Sequence, residues 1–395
     1  VKYASRYRFV GAVGETVRMP YSPDALRRWP DVEWPELFAT DAADRLILDE
    51  SAAARADAPP GTLVVIGDAY GALTLGAADA GATGIRVHQD PLSGERALAA
   101  NARTAGLGDA FASMDLSPAL VAGARVVLLR LPRALDALED IAGLVAAHAD
   151  PDVQVFAGGR VKHMALTMND VLRRSFEALD VTHARQKSRV LIARRPRAGA
   201  DPRPRRAEHS VPGLAGPLTV CAYGGAFAGT SIDIGTRFLL EQLGEVEPAR
   251  GGDLIDFACG TGVIAVWLAL RHPERTVVAT DQSAAAVASA EATAGANGVS
   301  DRVEVLRDLG LSSRPDRSAS FIALNPPFHT GAAVPVTGVA APLFAEAGRV
   351  LEPGGQLWAV WNSPLQYRPA LERLVGPTRQ VARNAKFTVT VSTRR

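Results

Sequence analysis

The sequence predicts an α/β chain of two tandem domains, each a mostly parallel sheet flanked by helices. Its 395 residues exceed the usual size of one domain. A strand, a glycine-containing turn, a helix and a second strand follow one another twice, the order that parallel sheets require. A displacement of 191 positions lays Gly71 on Gly262 and Asp90 on Asp281 without a gap, which marks an internal duplication.

Residues 1–60 are irregular, punctuated by Trp29, Pro30, Trp34 and Pro35. The first copy then reads as a strand at 63–66, a turn at 67–71, a helix over 72–80 and a strand at 84–87 ending near Asp90. The run Leu63-Val64-Val65-Ile66 lacks polar alternation, as a strand covered on both faces should. A helix over 96–105, a strand at 124–129, a helix over 135–148 and a strand at 153–157 continue the pattern.

Basic residues crowd the next stretch: 185–208 holds nine Lys and Arg against Asp201 and Glu208. With Pro196, Pro202 and Pro204 interspersed, 196–212 is the expected linker between a domain at 1–195 and another at 213–395. A solvated hinge and a phosphate-binding strip for RNA are equally compatible with that composition.

The second copy repeats the order, with a strand at 254–257, a turn at 258–262, a helix over 263–271 and a strand at 276–281. A strand at 303–307 leads to Asp308, and the apolar strand at 320–324 stops at Pro326-Pro327, neither of which can donate to a ladder. A turn at 351–356, a strand at 357–361 and a last strand at 386–391 suit an antiparallel closure. At the same displacement Val65 falls on Asp256 and Ala69 on Gly260, while Leu129-Arg130-Leu131-Pro132-Arg133 stands in the region of Asn325-Pro326-Pro327-Phe328. The first copy is expected to keep the fold without the chemistry.

Asp256 to Gly262 forms a turn where backbone can approach a ligand and helix N–H groups point at it. A dinucleotide site would want a third glycine near Ala265 and would set its pyrophosphate beside Asp256. An acid at that position suits a cation instead, an ammonium or a sulfonium. Asp281, at the end of the following strand, is placed to accept hydrogen bonds from ribose hydroxyls. Taken singly, either carboxylate is more often a solvated strand end. Asn325-Pro326-Pro327-Phe328 presents an amide, a carbonyl of fixed direction and an aromatic face, a set able to hold an exocyclic amino group on a flat ring.

Together these motifs resemble the class I S-adenosylmethionine-dependent methyltransferases that act on amino groups, with Rossmann-like domains. Asn325-Pro326-Pro327-Phe328-His329 is similar to the form found in the ribosomal RNA guanine-N2 methyltransferases of the methyltransferase-small family. The segment 226–240, with Phe227 and Asp233-Ile234-Gly235-Thr236, resembles the one that precedes their cofactor motif. Bacterial members also carry a degenerate methyltransferase-like domain in front of the active one.

The resemblance implies transfer of a methyl group from S-adenosylmethionine to guanine N2. Asn325, Pro326 and Phe328 would carry catalysis: Asn325 Oδ1 and the Pro326 carbonyl accept from the amino group, and Phe328 stacks on the base. Asp233, Gly235, Thr236, Asp256, Ala258, Gly260, Gly262, Asp281, Asp308 and Asn325 would surround the cofactor, with Asp308 meeting its adenine. Phe227, Pro327, Phe328 and His329 would line the substrate side, His329 at the pocket edge. Two departures stand out. Ala228-Gly229 replaces a more polar pair, and Ala258 replaces the commoner glycine, a small-for-small change expected to be tolerated. Other amino acceptors (DNA adenine, protein glutamine, a small metabolite) are alternatives, as is a non-catalytic RNA-binding assembly factor that retains cofactor affinity. A nicotinamide-dependent reductase leaves the two prolines unexplained.

The remaining composition narrows the setting. A formal charge of +1 gives no global pull toward nucleic acid or membrane, so any basic footprint for ribosomal RNA must be local. Cys221 and Cys259 alone do not make a disulfide framework or a zinc cluster, and no metal is expected. No apolar run reaches membrane-spanning length and residues 1–6 show no signal core, so a cytoplasmic protein is expected. Because an internal duplication supplies pairing within one chain, a monomer is expected.

Overall fold

The computed structural model describes residues 21–244, 246, 248, 249, 251–327 and 337–395. Two seven-stranded sheets and a two-stranded hairpin make up its β structure. In the first sheet, β1 (Leu63–Ile66), β2 (Ile85–His88), β3 (Phe111–Ser113), β4 (Val126–Arg130), β5 (Gln154–Arg160), β6 (Phe176–Val181) and β7 (Ser188–Pro196) lie in the order β3-β2-β1-β4-β5-β7-β6. The hairpin pairs β8 (Arg205–His209) with β9 (Leu218–Ala222).

The second sheet holds β10 (Asp253–Phe257), β11 (Val277–Asp281), β12 (Val303–Arg307), β13 (Ala319–Leu324), β14 (Leu351–Asn362), β15 (Thr378–Arg383) and β16 (Phe387–Thr393). Its order, β12-β11-β10-β13-β14-β16-β15, repeats the first. Both sheets are parallel except for one reversed strand, β7 in the first and β16 in the second, which pairs antiparallel with both of its neighbours. The two-domain α/β expectation therefore holds.

Burial explains the apolar runs. Leu63 and Val65 pack into the core on one side of the first sheet, and Val64 and Ile66 into the core on the other. Likewise Leu254 faces one core of the second sheet while Ile255 and Phe257 face the opposite one. Strands coated on both faces bury every side chain, as all six residues of β13 do.

Sequence and structure differ where long-range pairing decides. The helix expected from 96 begins at Leu92, directly after Pro91. The turn expected at 351–356 lies inside β14 as a bulge, because the three residues of β13 from Ala319 to Phe321 oppose the six of β14 from Leu351 to Gln356. Within the stretch expected as a linker, Arg205–His209 is a strand, and Arg205 pairs with Glu139 and Asp140. Other members of the basic run are also neutralised, Arg185 by Asp49 and Arg194 by Asp180.

Strand register refines the duplication. Gly71 and Gly262 are equivalent: both are left-handed and both cap the helix that follows the first strand of their seven-stranded sheet. From there Val65 matches Asp256. Val65 pairs with Val87 and Asp256 with Ala279, so in β2 and β11 the displacement becomes 192. The counterpart of Asp281 is therefore Gln89, not Asp90. At this displacement Pro91 and Ser283 are equivalent to each other, and these two residues form the β-bridge between the domains. Leu92 N–H donates to Gln282 O at 2.9 Å, and Ala284 N–H to Asp90 O at 3.0 Å, two bonds that the same displacement exchanges. A pseudo-two-fold axis runs through the bridge.

Candidate active site

The site lies beyond the carboxyl ends of β10, β11 and β13, where the strand order reverses and open α/β sheets leave a crevice. A cavity of about 440 Å³ opens there, walled by Phe227, Gly260, Asp281, Asp308, Asn325 and Pro326 among others. A smaller recess beside it reaches Asp233, Thr236 and Asp256. Of the described residues of the expected site, Gly235 and Gly262 line neither space, and the others border one or both. Phe328 and His329 lie outside the described residues.

Asn325 emerges from fully buried β13 as the ladder ends at Pro326-Pro327. Its Nδ2 donates to Asp233 Oδ2 at 3.0 Å and to Thr236 Oγ1 at 3.0 Å. Asp233 can only accept, so this pairing fixes which end of the amide faces inward. Asp233 is itself held as the N-cap of helix Ile234–Leu243, accepting from Gly235 N–H at 2.8 Å and Thr236 N–H at 3.2 Å. Gly235 permits the close approach: a Cβ there would stand 3.0 Å from Asp233 Oδ2 and 3.2 Å from the Phe387 ring. The other end of the amide, Asn325 Oδ1, is buried without a hydrogen-bond partner among the described residues. A buried carbonyl oxygen left unpaired costs about 1–3 kcal/mol, so it marks a position shaped for an absent donor.

The same brace exists in the first copy with a different occupant. Register places Leu129 on Leu324, hence Arg130 on Asn325. Arg130 bridges to Asp41 at 3.2 Å and also to Asp44. Asp41 caps helix Ala42–Glu50 as Asp233 caps Ile234–Leu243, and Asp44 sits where Thr236 sits. A guanidinium has no acceptor, so the first copy keeps the support and loses the function. Gln89, standing for Asp281, donates to Ala69 O at 3.3 Å and also to Asp68 O, tying down the loop from its own side.

In the second copy the acids face the space. Asp256 is buried and its Oδ2 accepts from Ala265 N–H at 2.8 Å. Burial, against that hydrogen bond and with Asp281 nearby, pushes its pKa up to about 7. Asp281 Oδ2 accepts from Gly260 N–H at 3.0 Å and its Oδ1 from Ser283 N–H at 2.9 Å; desolvation raises its pKa despite them. Among the described residues, and apart from its own chain neighbours, no atom lies within 4 Å of where a Cβ on Gly260 would stand, so the turn opens to the cavity. At Gly262 a Cβ would meet Ala290 at 2.8 Å, so this glycine serves helix packing. Ala258 and Ala228, the two departures from the expected pattern, both adopt left-handed backbone, with φ of 57° and 62°. Each is strained where glycine would not be.

Asp308 lines the cavity with its carboxylate already engaged. Its carboxylate accepts from Leu309 N–H, Ser312 Oγ, Ser313 N–H and Ser313 Oγ, which fills its acceptor sites. These bonds outweigh burial and hold its pKa below the ordinary value. Its side chain organises its own loop, and the loop, not a free carboxylate, forms that wall. Sequence reasoning also missed Asp90 and Pro91, which line the cavity from the first domain. Only the domain packing shows them.

Fold and site together define a class I S-adenosylmethionine-dependent methyltransferase, and comparison with known proteins agrees. Residues 217–391 match the Methyltransferase small domain and residues 15–197 the RLMG N-terminal domain. The chain belongs to the methyltransferase-small family, in the group that carries this N-terminal domain. It is 33% identical to Ribosomal RNA large subunit methyltransferase G of Streptomyces avermitilis, over 95% of this chain and 98% of the relative. It is 32% identical to the protein of that name from Pseudomonas aeruginosa, over 94% and 97%. Among solved structures, a T. Thermophilus 16S rRNA N2 methyltransferase (RsmC) in complex with AdoMet and guanosine superposes with a TM-score of 0.72. It covers 90% of this chain and 92% of its own, at 21% identity, a likeness of fold.

Proposed function

We propose that the chain methylates the exocyclic N2 amino group of a guanine in large-subunit ribosomal RNA. The observation that carries this reading is the buried, unpartnered Oδ1 of Asn325 at a cavity walled by Asp281 and Gly260. The relatives' printed name supports the acceptor. The acid at the end of β11, the open turn at Gly260 and the recess at Asp256 fit a nucleoside carrying a cationic amino-acid tail.

When bound, S-adenosylmethionine supplies a methyl group activated on a sulfonium. Asn325 Oδ1 accepts from the guanine amino group, as does the Pro326 carbonyl, orienting the nitrogen lone pair and stabilising the positive charge it develops. Asp233 and Thr236 lock the amide, so no reorganisation is needed as that charge appears. Phe227, 54% exposed at the rim, offers a face to the base alongside Pro327. Phe328 is assigned to stacking and His329 to the pocket edge. A paired amino group cannot enter such a pocket, so the guanine is unpaired or flipped. The enzyme is cytoplasmic and, with its two copies paired internally, a monomer in this reading.

Methylation of ribosomal subunits from cells lacking the protein, with labelled cofactor and nucleoside analysis, tests it. Label in N2-methylguanosine of large-subunit RNA is expected. Label in small-subunit RNA or in protein would overturn the acceptor.

A further inference from the structure

Both segments that shape the ribose side of the cavity are held from the first domain. Ser283 N–H donates to Asp281 Oδ1 at 2.9 Å, and Ser283 Oγ donates to Asp90 Oδ1 at 2.9 Å. The same Asp90 oxygen accepts from Ala285 N–H at 2.9 Å, capping helix Ala284–Ala296 from another domain. On the neighbouring strand, Arg307 donates to Gln89 O at 2.7 Å, to Asp90 O at 3.1 Å and to Glu95 Oε2 at 2.8 Å. Arg307 immediately precedes the Asp308 loop.

We propose that Asp90 is a positioning residue of the cofactor site, orienting Asp281 through Ser283 so that the degenerate domain sets cofactor affinity. The proposal rests on the reading of Asp281 as the ribose acceptor. Relative to its own copy, Asp90 stands one residue beyond the ribose position, where a side chain points away from its own pocket and across the pseudo-two-fold axis. Like charge does not favour its placement: Asp90 raises the pKa of Asp281, so attraction between the two acids cannot explain the arrangement. What Asp90 supplies is a fixed acceptor for two donors of the Asp281 loop.

Calorimetry with S-adenosylhomocysteine tests this on the full chain. Loss of two hydrogen bonds that hold the loop predicts about a tenfold weaker Kd for Asp90→Ala. The KM for cofactor should rise similarly while kcat at saturating cofactor stays unchanged. Asp90→Asn keeps an acceptor oxygen and should bind within about threefold of the parent. Glu95→Gln loosens Arg307 ahead of the Asp308 loop but leaves every bond of the Asp281 loop in place, so it should cost well under the loss in Asp90→Ala, which separates positioning from simple undocking. Wild-type affinity in Asp90→Ala, or equal losses in Asp90→Asn and Glu95→Gln, would overturn the proposal. If Asp90→Ala fails to fold, Ser283→Ala severs the same relay from within the second domain, and an unchanged Kd there overturns it too. Unchanged affinity in Asp281→Ala would instead sink the ribose assignment on which it rests.

Discussion

Replacing Asn325 by alanine should lower activity sharply while leaving stability nearly unchanged. Asn325→Ala removes two donations, to Asp233 Oδ2 and Thr236 Oγ1. Asp233 Oδ2 keeps the Gly235 and Thr236 amides, so it is not stranded, and the loss is about 1–2 kcal/mol. The substitution also deletes the buried unpartnered Oδ1, relieving about 1–3 kcal/mol. These offset, and the melting temperature should move by no more than about 2 °C. In the transition state the same oxygen carries charge stabilisation of about 3–4 kcal/mol, so kcat should fall by about 10²–10³. Thermal unfolding and labelled-methyl transfer at saturating cofactor measure the two effects, and cofactor Kd should stay near the parent value. A destabilisation above about 3 kcal/mol would show that Oδ1 is satisfied in the free protein. Near-parental turnover would refute its role altogether.

Asp281→Ala should weaken S-adenosylhomocysteine binding by about 10–100-fold in calorimetry, the worth of charged hydrogen bonds to ribose; unchanged affinity means the ribose lies elsewhere. Ala258→Gly relieves a φ of 57° and should stabilise by about 1 kcal/mol in thermal unfolding, with no gain speaking against strain. Asp256 holds its proton in the free protein up to about pH 7, well above its unfolded value. Its contribution to stability is therefore full below the unfolded pKa and is lost as pH rises through about 7. Affinity for the cationic cofactor should rise over the same upper range, and Asp256→Asn should flatten that profile; a profile unchanged in the variant assigns the titration to another group.

The parallel alternation and the two glycine turns were legible because strands buried on both faces leave uninterrupted apolar runs and left-handed turns leave glycines. Asn325-Pro326-Pro327 was legible because two prolines end a strand by removing donors. What a local pattern does not encode is which partner a side chain meets. Asp308 spends its carboxylate on its own loop, and only geometry shows it. Arg130 replaces Asn325 in the first copy, but β4 and β13 had to be aligned through their pairing with β1 and β10 to see it. The ungapped overlay of Asp90 on Asp281 was displaced by one residue between the first two strands, a slip that preserves every hydrophobic signal. The bulge in β14 likewise leaves no trace in apolar spacing.

The bridge between Pro91 and Ser283 carries a historical consequence. A surface that contacts its own equivalent across a two-fold axis is the interface of a homodimer. Duplication and fusion of a single-domain dimer would deliver such a bridge intact, with the old intersubunit contact now within one polypeptide. Fusion also frees the halves to diverge, which identical subunits cannot do. One half could then exchange its amide for Arg130 and its ribose acid for Gln89 without loss, provided that it went on supporting its neighbour. On this account the first domain descends from an enzyme, and its remaining duty is the one a partner subunit once performed.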